Sequence, residues 1–83
     1  MNDISRLRWR CRRGTREMDL LLQRFLDVVY ATLPDQERRA FERLLDEADS
    51  DLLDWITGRR PVPAPDYESL IAQLRQYHAA AVQ

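Results

Sequence analysis

Lysine is absent from this chain: all 13 basic residues are arginine. Compositional bias of a genome accounts for that most simply, yet the physical consequence stands. Every cation here is a planar guanidinium able to make paired bonds to carboxylate or phosphate. Cysteine and histidine occur once each, as Cys11 and His78. One cysteine excludes an internal disulfide and fits a reducing compartment. One cysteine and one histidine exclude a zinc set. The two glycines, Gly14 and Gly58, are too few and too far apart for a phosphate-binding loop. The sequence has no Ser-His-Asp supply and no HExxH. Its carboxylates fall on helix starts and solvent faces, so paired acid/base catalysis has no support and the chain does not read as an enzyme. No apolar run reaches the length of a signal or membrane span, and the basic N-terminus has no apolar segment behind it. The expectation is a cytoplasmic protein without membrane insertion.

At 83 residues the chain reads as one domain, residues 1–83, with one core. So small a body has no room for a deep cavity that encloses a large cofactor, and surface binding to a larger partner is its easier use. The net charge of -1 hides an uneven layout. Residues 1–16 hold six arginines against Asp3, leaving +5, whereas residues 17–83 hold seven against thirteen acids, leaving -6. An arginine arm can serve RNA. Here the acidic body opposes phosphate and Trp9 is the one aromatic interleaved with the arm, so nucleic acid is not the expected partner.

Apolar residues recur at helical spacing, with no strand alternation, which predicts an all-α fold of five helices. Asp3 caps the first and Gly14 ends it, with Ile4, Leu7 and Cys11 on one face. A second helix starts near Thr15 or Arg16. It buries Met18, Leu21, Leu22, Phe25, Val28, Val29 and Leu33, widened by Leu26 and Tyr30 as suits a central helix. Pro34 stops it and opens a third, whose inward residues are Ala40, Phe41, Leu44, Leu45 and Ala48. A short fourth helix, 51–57, is capped by Asp49 or Ser50 and ended by Gly58. It buries Leu52, Leu53, Trp55 and Ile56. Residues 59–65 form a proline-rich connector. Asp66 caps a last helix carrying Tyr67, Leu70, Ile71, Leu74 and Tyr77, with a fraying tail from Ala79 to Gln83.

The residues available for recognition sit at the joint between the first two helices. Trp9 falls off the apolar stripe among arginines, where it can anchor an interface, stack on Arg or pack over the second helix. Gly14 supplies a positive φ and, lacking a side chain, lets a partner backbone come close. Arg13 and Glu17 have two uses open to them. One is a local ion pair across the joint, weak if exposed. The other is that both point outward to polar groups of a partner, beside Arg16. Cys11, on the apolar side, reads as a packing thiol, and His78 as a solvated surface group near a helix C-terminus.

Cys11-Arg12-Arg13-Gly14-Thr15-Arg16-Glu17 resembles the Arg-Gly-x-x-Glu signature of the SdhE family, the bacterial relatives of the mitochondrial succinate dehydrogenase assembly factor 2. Asp51-Leu52-Leu53-Asp54-Trp55-Ile56-Thr57-Gly58 is similar to the family's second signature, and Leu33 through Leu45 resembles the segment between. Two motifs in the right order, across about Leu7 to Gly58, make the likeness specific. Pro34 departs from the pattern, where relatives often carry a hydroxyl cap.

The resemblance implies a compact five-helix bundle with a chaperone-like role. Its partner would be the flavoprotein subunit of succinate dehydrogenase, and of the related fumarate reductase, on which it promotes covalent attachment of FAD. FAD would belong to the partner, with none held tightly here. The family's functional residues map onto Arg13, Gly14 and Glu17. Trp9 and Arg16 are their expected neighbours in the contact. Some members carry an antitoxin label, and neutralisation of a small toxin is the alternative use of such a binding module.

Overall fold

The computed structural model describes the backbone of residues 3–82 and the side chains of residues 4–78. Five α-helices follow one another: α1 (Asp3–Arg10), α2 (Arg16–Val28), α3 (Asp35–Leu44), α4 (Asp49–Thr57) and α5 (Pro65–Val82), with a single 3-10 turn at Tyr30–Thr32. No strand forms among the described residues. The expected all-α five-helix bundle is therefore the fold.

Helix boundaries differ from the expected ones where side-chain and backbone capping compete. The α1 helix stops at Arg10, four residues before Gly14. Its end is closed by backbone bonds from the Cys11 N–H to Leu7 O (3.0 Å) and the Arg12 N–H to Trp9 O (3.1 Å). The side chain of Asp3, expected to cap it, lies outside the described ones. Pro34 stands one position outside α3 with an extended ψ of 156°, and its carbonyl accepts the Arg38 N–H at 3.0 Å. The α4 helix starts at Asp49, two residues early, with Ala48 in the capping position. Ala48 is thereby exposed rather than inward. The α3 helix ends at Leu44, and the turn that follows breaks the helical phase that would have carried Ala48 to the core. Gly58 does end α4, at φ +81°. The last helix begins at Pro65, so Asp66 sits inside its first turn, where the dipole favours an anion. Helical backbone extends through Val82, and Gln83 lies outside the described residues.

The hub is α5, not α2. It packs against α2, α3 and α4, while α1 lies on α2. Phe25, Phe41, Leu22, Leu44, Leu52, Leu70, Ile71 and Leu74 are fully buried, drawn from four helices. Phe25 meets Phe41 at 5.3 Å and the edge of Tyr77 at 6.2 Å, while Trp55 meets Tyr67 at 6.0 Å. Such ring pairs add to what area burial alone provides. Arg75 of α5 donates to the Trp55 carbonyl at 2.7 Å, satisfying an acceptor in the last turn of α4. Cα atoms have a radius of gyration of 11.9 Å, against about 12 Å for a close-packed globule of this length.

Two apolar residues of α2 stay outside this core. Leu20 is 60% exposed and Val28 53%, although Val28 was expected in the buried stripe. At 100° per residue Val28 falls beyond Leu21 at the stripe's edge, alongside Leu20, Glu17 and Arg24. Ile4, expected beside Leu7 and Cys11, is also exposed.

Candidate functional site

The joint between α1 and α2 is built by arginines spent on the protein's own acceptors. Arg8 donates to Asp27 at 2.6 Å, tying α1 to α2. The shared hydrogen bond raises Arg8 and lowers Asp27 from their ordinary pKa values. Arg10 donates to the Glu42 carbonyl (2.7 Å) and to Asp46 (2.6 Å), tying α1 to α3 and the turn after it. Two of the six arginines of the +5 arm are thus spent in holding α1 down.

Arg13 is held most completely. Its Nε donates to Asp49 Oδ1 at 2.6 Å, one terminal nitrogen reaches Leu45 O (2.6 Å) and Arg10 O (3.2 Å), and the other reaches Glu47 O (2.5 Å). Only 13% of the side chain is exposed. Its backbone N–H is accepted by the Asp19 carboxylate. Carbonyls orphaned at the ends of α1 and α3 are satisfied by one cation, whose charge also suits helix C-termini. The Asp49 partner lies in the first turn of α4, where an anion is favoured. Arg13 and Glu17 do not pair, and Arg13 does not point outward. Both arrangements open to that pair from spacing give way to one in which Arg13 bridges the joint and the α3–α4 turn.

That clamp presents Gly14. Its φ is +94°, and a Cβ placed there would meet nothing within 4 Å. The glycine therefore answers to backbone conformation rather than crowding, and the space in front of it is open. Thr15 caps α2 with extended geometry but makes no side-chain bond. Arg16 is exposed. Glu17 has 59% of its side chain exposed, and Oε1 lies 2.6 Å from His78 Nε2. His78 was expected in solvent. Instead only 20% of its side chain is exposed, because the end of α5 packs beside the start of α2.

A groove of about 840 Å³ is lined by Arg16, Glu17, Leu20, Arg24 and Val28 of α2 and by Tyr77 and His78 of α5. Trp9 is separate from its lining. It is 71% exposed on α1, with the Arg12 guanidinium 5.2 Å from its ring centre. Of the five expected contact residues, then, Arg16 and Glu17 line one groove, Gly14 and Trp9 are open, and Arg13 is turned inward. Sequence reasoning missed Asp49, Asp19 and His78, the groups that hold Arg13 and Glu17. All three are remote in sequence or unremarkable by type. Leu20, off the apolar stripe as Trp9 is, did carry a readable signal.

Cys11 is fully buried, and burial lifts its thiol from an ordinary 9.0 to about 11 against the opposing pull of Arg13, Arg8 and Arg10. It is a packing residue. Among the described residues no group of His, Cys, Asp and Glu is placed to hold a metal ion. No helix there is long and apolar enough to cross a membrane.

With the joint in view, the comparison with known proteins is decisive. Residues 5–78 match the profile of a family described as "Flavinator of succinate dehydrogenase". The chain belongs to this family. A protein of Shewanella oneidensis named FAD assembly factor SdhE is 41% identical over 73 residues, covering 88% of this chain and 89% of that protein. Its namesake in Coxiella burnetii is 35% identical over 72 residues, 87% and 88% of the two chains. That of Pectobacterium atrosepticum is 48% identical over 56 residues, 68% and 64% of the two. In this flavinator-family chain the matched span takes in α2, α3 and α4 completely and the joint's supports from Arg8 to His78.

Proposed function

We propose that this protein promotes covalent attachment of FAD to the flavoprotein subunit of succinate dehydrogenase. It does so as an accessory binding protein rather than as an enzyme, acting in the cytoplasm. The related fumarate reductase flavoprotein is a second client in this reading. One observation carries it: the family match spans both ends of the fold, and inside it the Arg-Gly-x-x-Glu segment presents an open glycine and an exposed carboxylate.

The chemistry in this reading stays in the client, and FAD is the client's to hold. A small rigid domain contributes by holding the client's groups in a reactive arrangement. Gly14 admits the client's backbone, Glu17 accepts bonds from backbone N–H groups or a cation, Arg16 meets an acidic group, and Trp9 supplies an apolar anchor. The joint is braced: Arg8 and Arg10 of α1, and Arg13 just beyond it, are tied to three other parts of the fold.

The test is in-gel flavin fluorescence of the denatured succinate dehydrogenase flavoprotein, in cells with and without this gene. Loss of the covalent signal without the gene, restored by wild type and not by Gly14→Arg, is the expected result. An undiminished signal in the deletion strain would sink the proposal.

A further inference from the structure

Arg13 has an unusual station for a residue of a recognition motif. All three guanidinium nitrogens are engaged within the molecule, by three main-chain carbonyls and the Asp49 carboxylate. With 13% of its side chain exposed, it cannot reach a client without leaving those acceptors. Leaving them would orphan the Leu45 and Glu47 carbonyls at the α3–α4 turn and the charge of Asp49, each costly in a partly buried setting. Asp49 is the one acceptor in the set whose accepting atom belongs to a side chain, so substitution can remove it. Its geometry follows from α4 starting at Asp49 itself, which sets the carboxylate over the joint.

We infer that Asp49 is a positioning residue for the motif: it holds Arg13, and through Arg13 sets the backbone that presents Gly14 and Glu17. Arg13 then acts from within, and Gly14, Glu17 and their neighbours touch the client. This inference rests on the flavinylation reading for its functional readout, but the geometry it asserts is independent of any client. The Arg13 main chain enters the same device from the other side. Its N–H is accepted by Asp19 in the first turns of α2, so the residue before Gly14 is fixed at both backbone and side chain.

The experiment is a double-mutant cycle of Asp49→Ala and Arg13→Ala in the full chain. It reads affinity for the isolated flavoprotein subunit, covalent flavin yield, and the amide resonances of Gly14 and Glu17. Positioning predicts that each single change lowers affinity about tenfold and that the double change is no worse than either. The Gly14 and Glu17 resonances should move alike in both single variants while core resonances stay. Arg43→Ala, which removes the exposed pair with Asp66, controls for minor stability loss and should bind as wild type does. Where Asp49→Ala melts below the assay temperature, Asp49→Asn keeps the size and loses the charge. A loss of about threefold with a shifted Gly14 resonance then supports the inference. It is overturned by wild-type affinity in the Asp49 variant while Arg13→Ala is impaired, by effects that multiply, or by an unmoved Gly14 resonance. If wild type itself neither binds nor promotes flavinylation, the functional reading fails, and the resonances alone still decide whether Asp49 sets the joint.

Discussion

Glu17 and His78 stand 61 positions apart in sequence and 2.6 Å apart in space, so the motif carboxylate at the start of α2 is held by the end of α5. A carboxylate only accepts, so Nε2 carries the proton toward it. The pair is half in solvent on the Glu17 side, and a hydrogen bond of that kind contributes about 1 kcal/mol. Glu17→Ala is therefore expected to lower the melting temperature by a few degrees at most, about 4–8 °C being the equivalent of a full kcal/mol in a domain this size. Affinity for the flavoprotein subunit should fall about tenfold. Differential scanning fluorimetry beside a binding titration separates the two. A large thermal shift with unchanged affinity would make Glu17 a structural residue only.

Gly14 and Gly58 allow a controlled comparison. Both have positive φ, +94° and +81°, and a Cβ on either meets nothing within 4 Å. Arginine at either position costs about 1–2 kcal/mol of backbone strain, with no clash at its Cβ. The two variants should melt within a few degrees of each other, both below wild type. Only Gly14→Arg should abolish covalent flavin in the client, because its new side chain fills the space kept open at the joint. Equal loss of flavinylation in both would attribute the Gly14 effect to stability.

The fold was largely readable before the structure, since helical periodicity and the proline and glycine stops do not depend on distant partners. Gly58, Pro34 and the core residues Phe25, Phe41 and Trp55 fell where the pattern placed them, to within a residue or two. What failed was governed by tertiary contact. Val28 looks core-facing by type and nearly so by phase, but it stays half-exposed in the groove beside α5. The inward turn of Arg13 could not be read, because three of its four acceptors are main-chain carbonyls, those of residues 10, 45 and 47. Carbonyls are the same in every sequence; their placement depends on α3 stopping at Leu44. His78 reads as a surface group until α5 is known to lie along α2.

Cys11 should be inert until the protein unfolds. The thiolate is the reactive form, and burial lifts the thiol to about 11. Alkylation at mildly alkaline pH should proceed at the rate of global opening, and fast labelling of the native protein would contradict the burial. A linkage follows. Above an ordinary 9.0 the unfolded thiol loses its proton while the folded one keeps it, so stability falls as pH rises from about 9 to about 11. The loss approaches about 2–3 kcal/mol. Tyr67, raised chiefly by burial and then by its bond to Glu47, acts in the same direction from an ordinary 10.0 upward, overlapping the upper part of the thiol window. Urea titrations of wild type and Cys11→Ala across this range should differ most steeply between the two thiol values.

Trp9 and Trp55 divide the fluorescence of the chain between solvent and core, at 71% and 5% exposure. Subtracting the spectrum of Trp9→Phe from that of wild type isolates Trp9. That emission should be red-shifted and readily quenched by acrylamide in the free protein. Because Trp9 stands clear of the core, its removal should change stability by no more than about 0.5 kcal/mol. A buried aromatic anchor at a binding surface is commonly worth about 2 kcal/mol or more, so Trp9→Ala should weaken client binding by well over tenfold. On adding the flavoprotein subunit, the Trp9 emission should shift to the blue and lose its quenching. If Trp9 stays quenchable in the saturated complex, the contact is confined to the Gly14–Glu17 side and the α1 face takes no part in it.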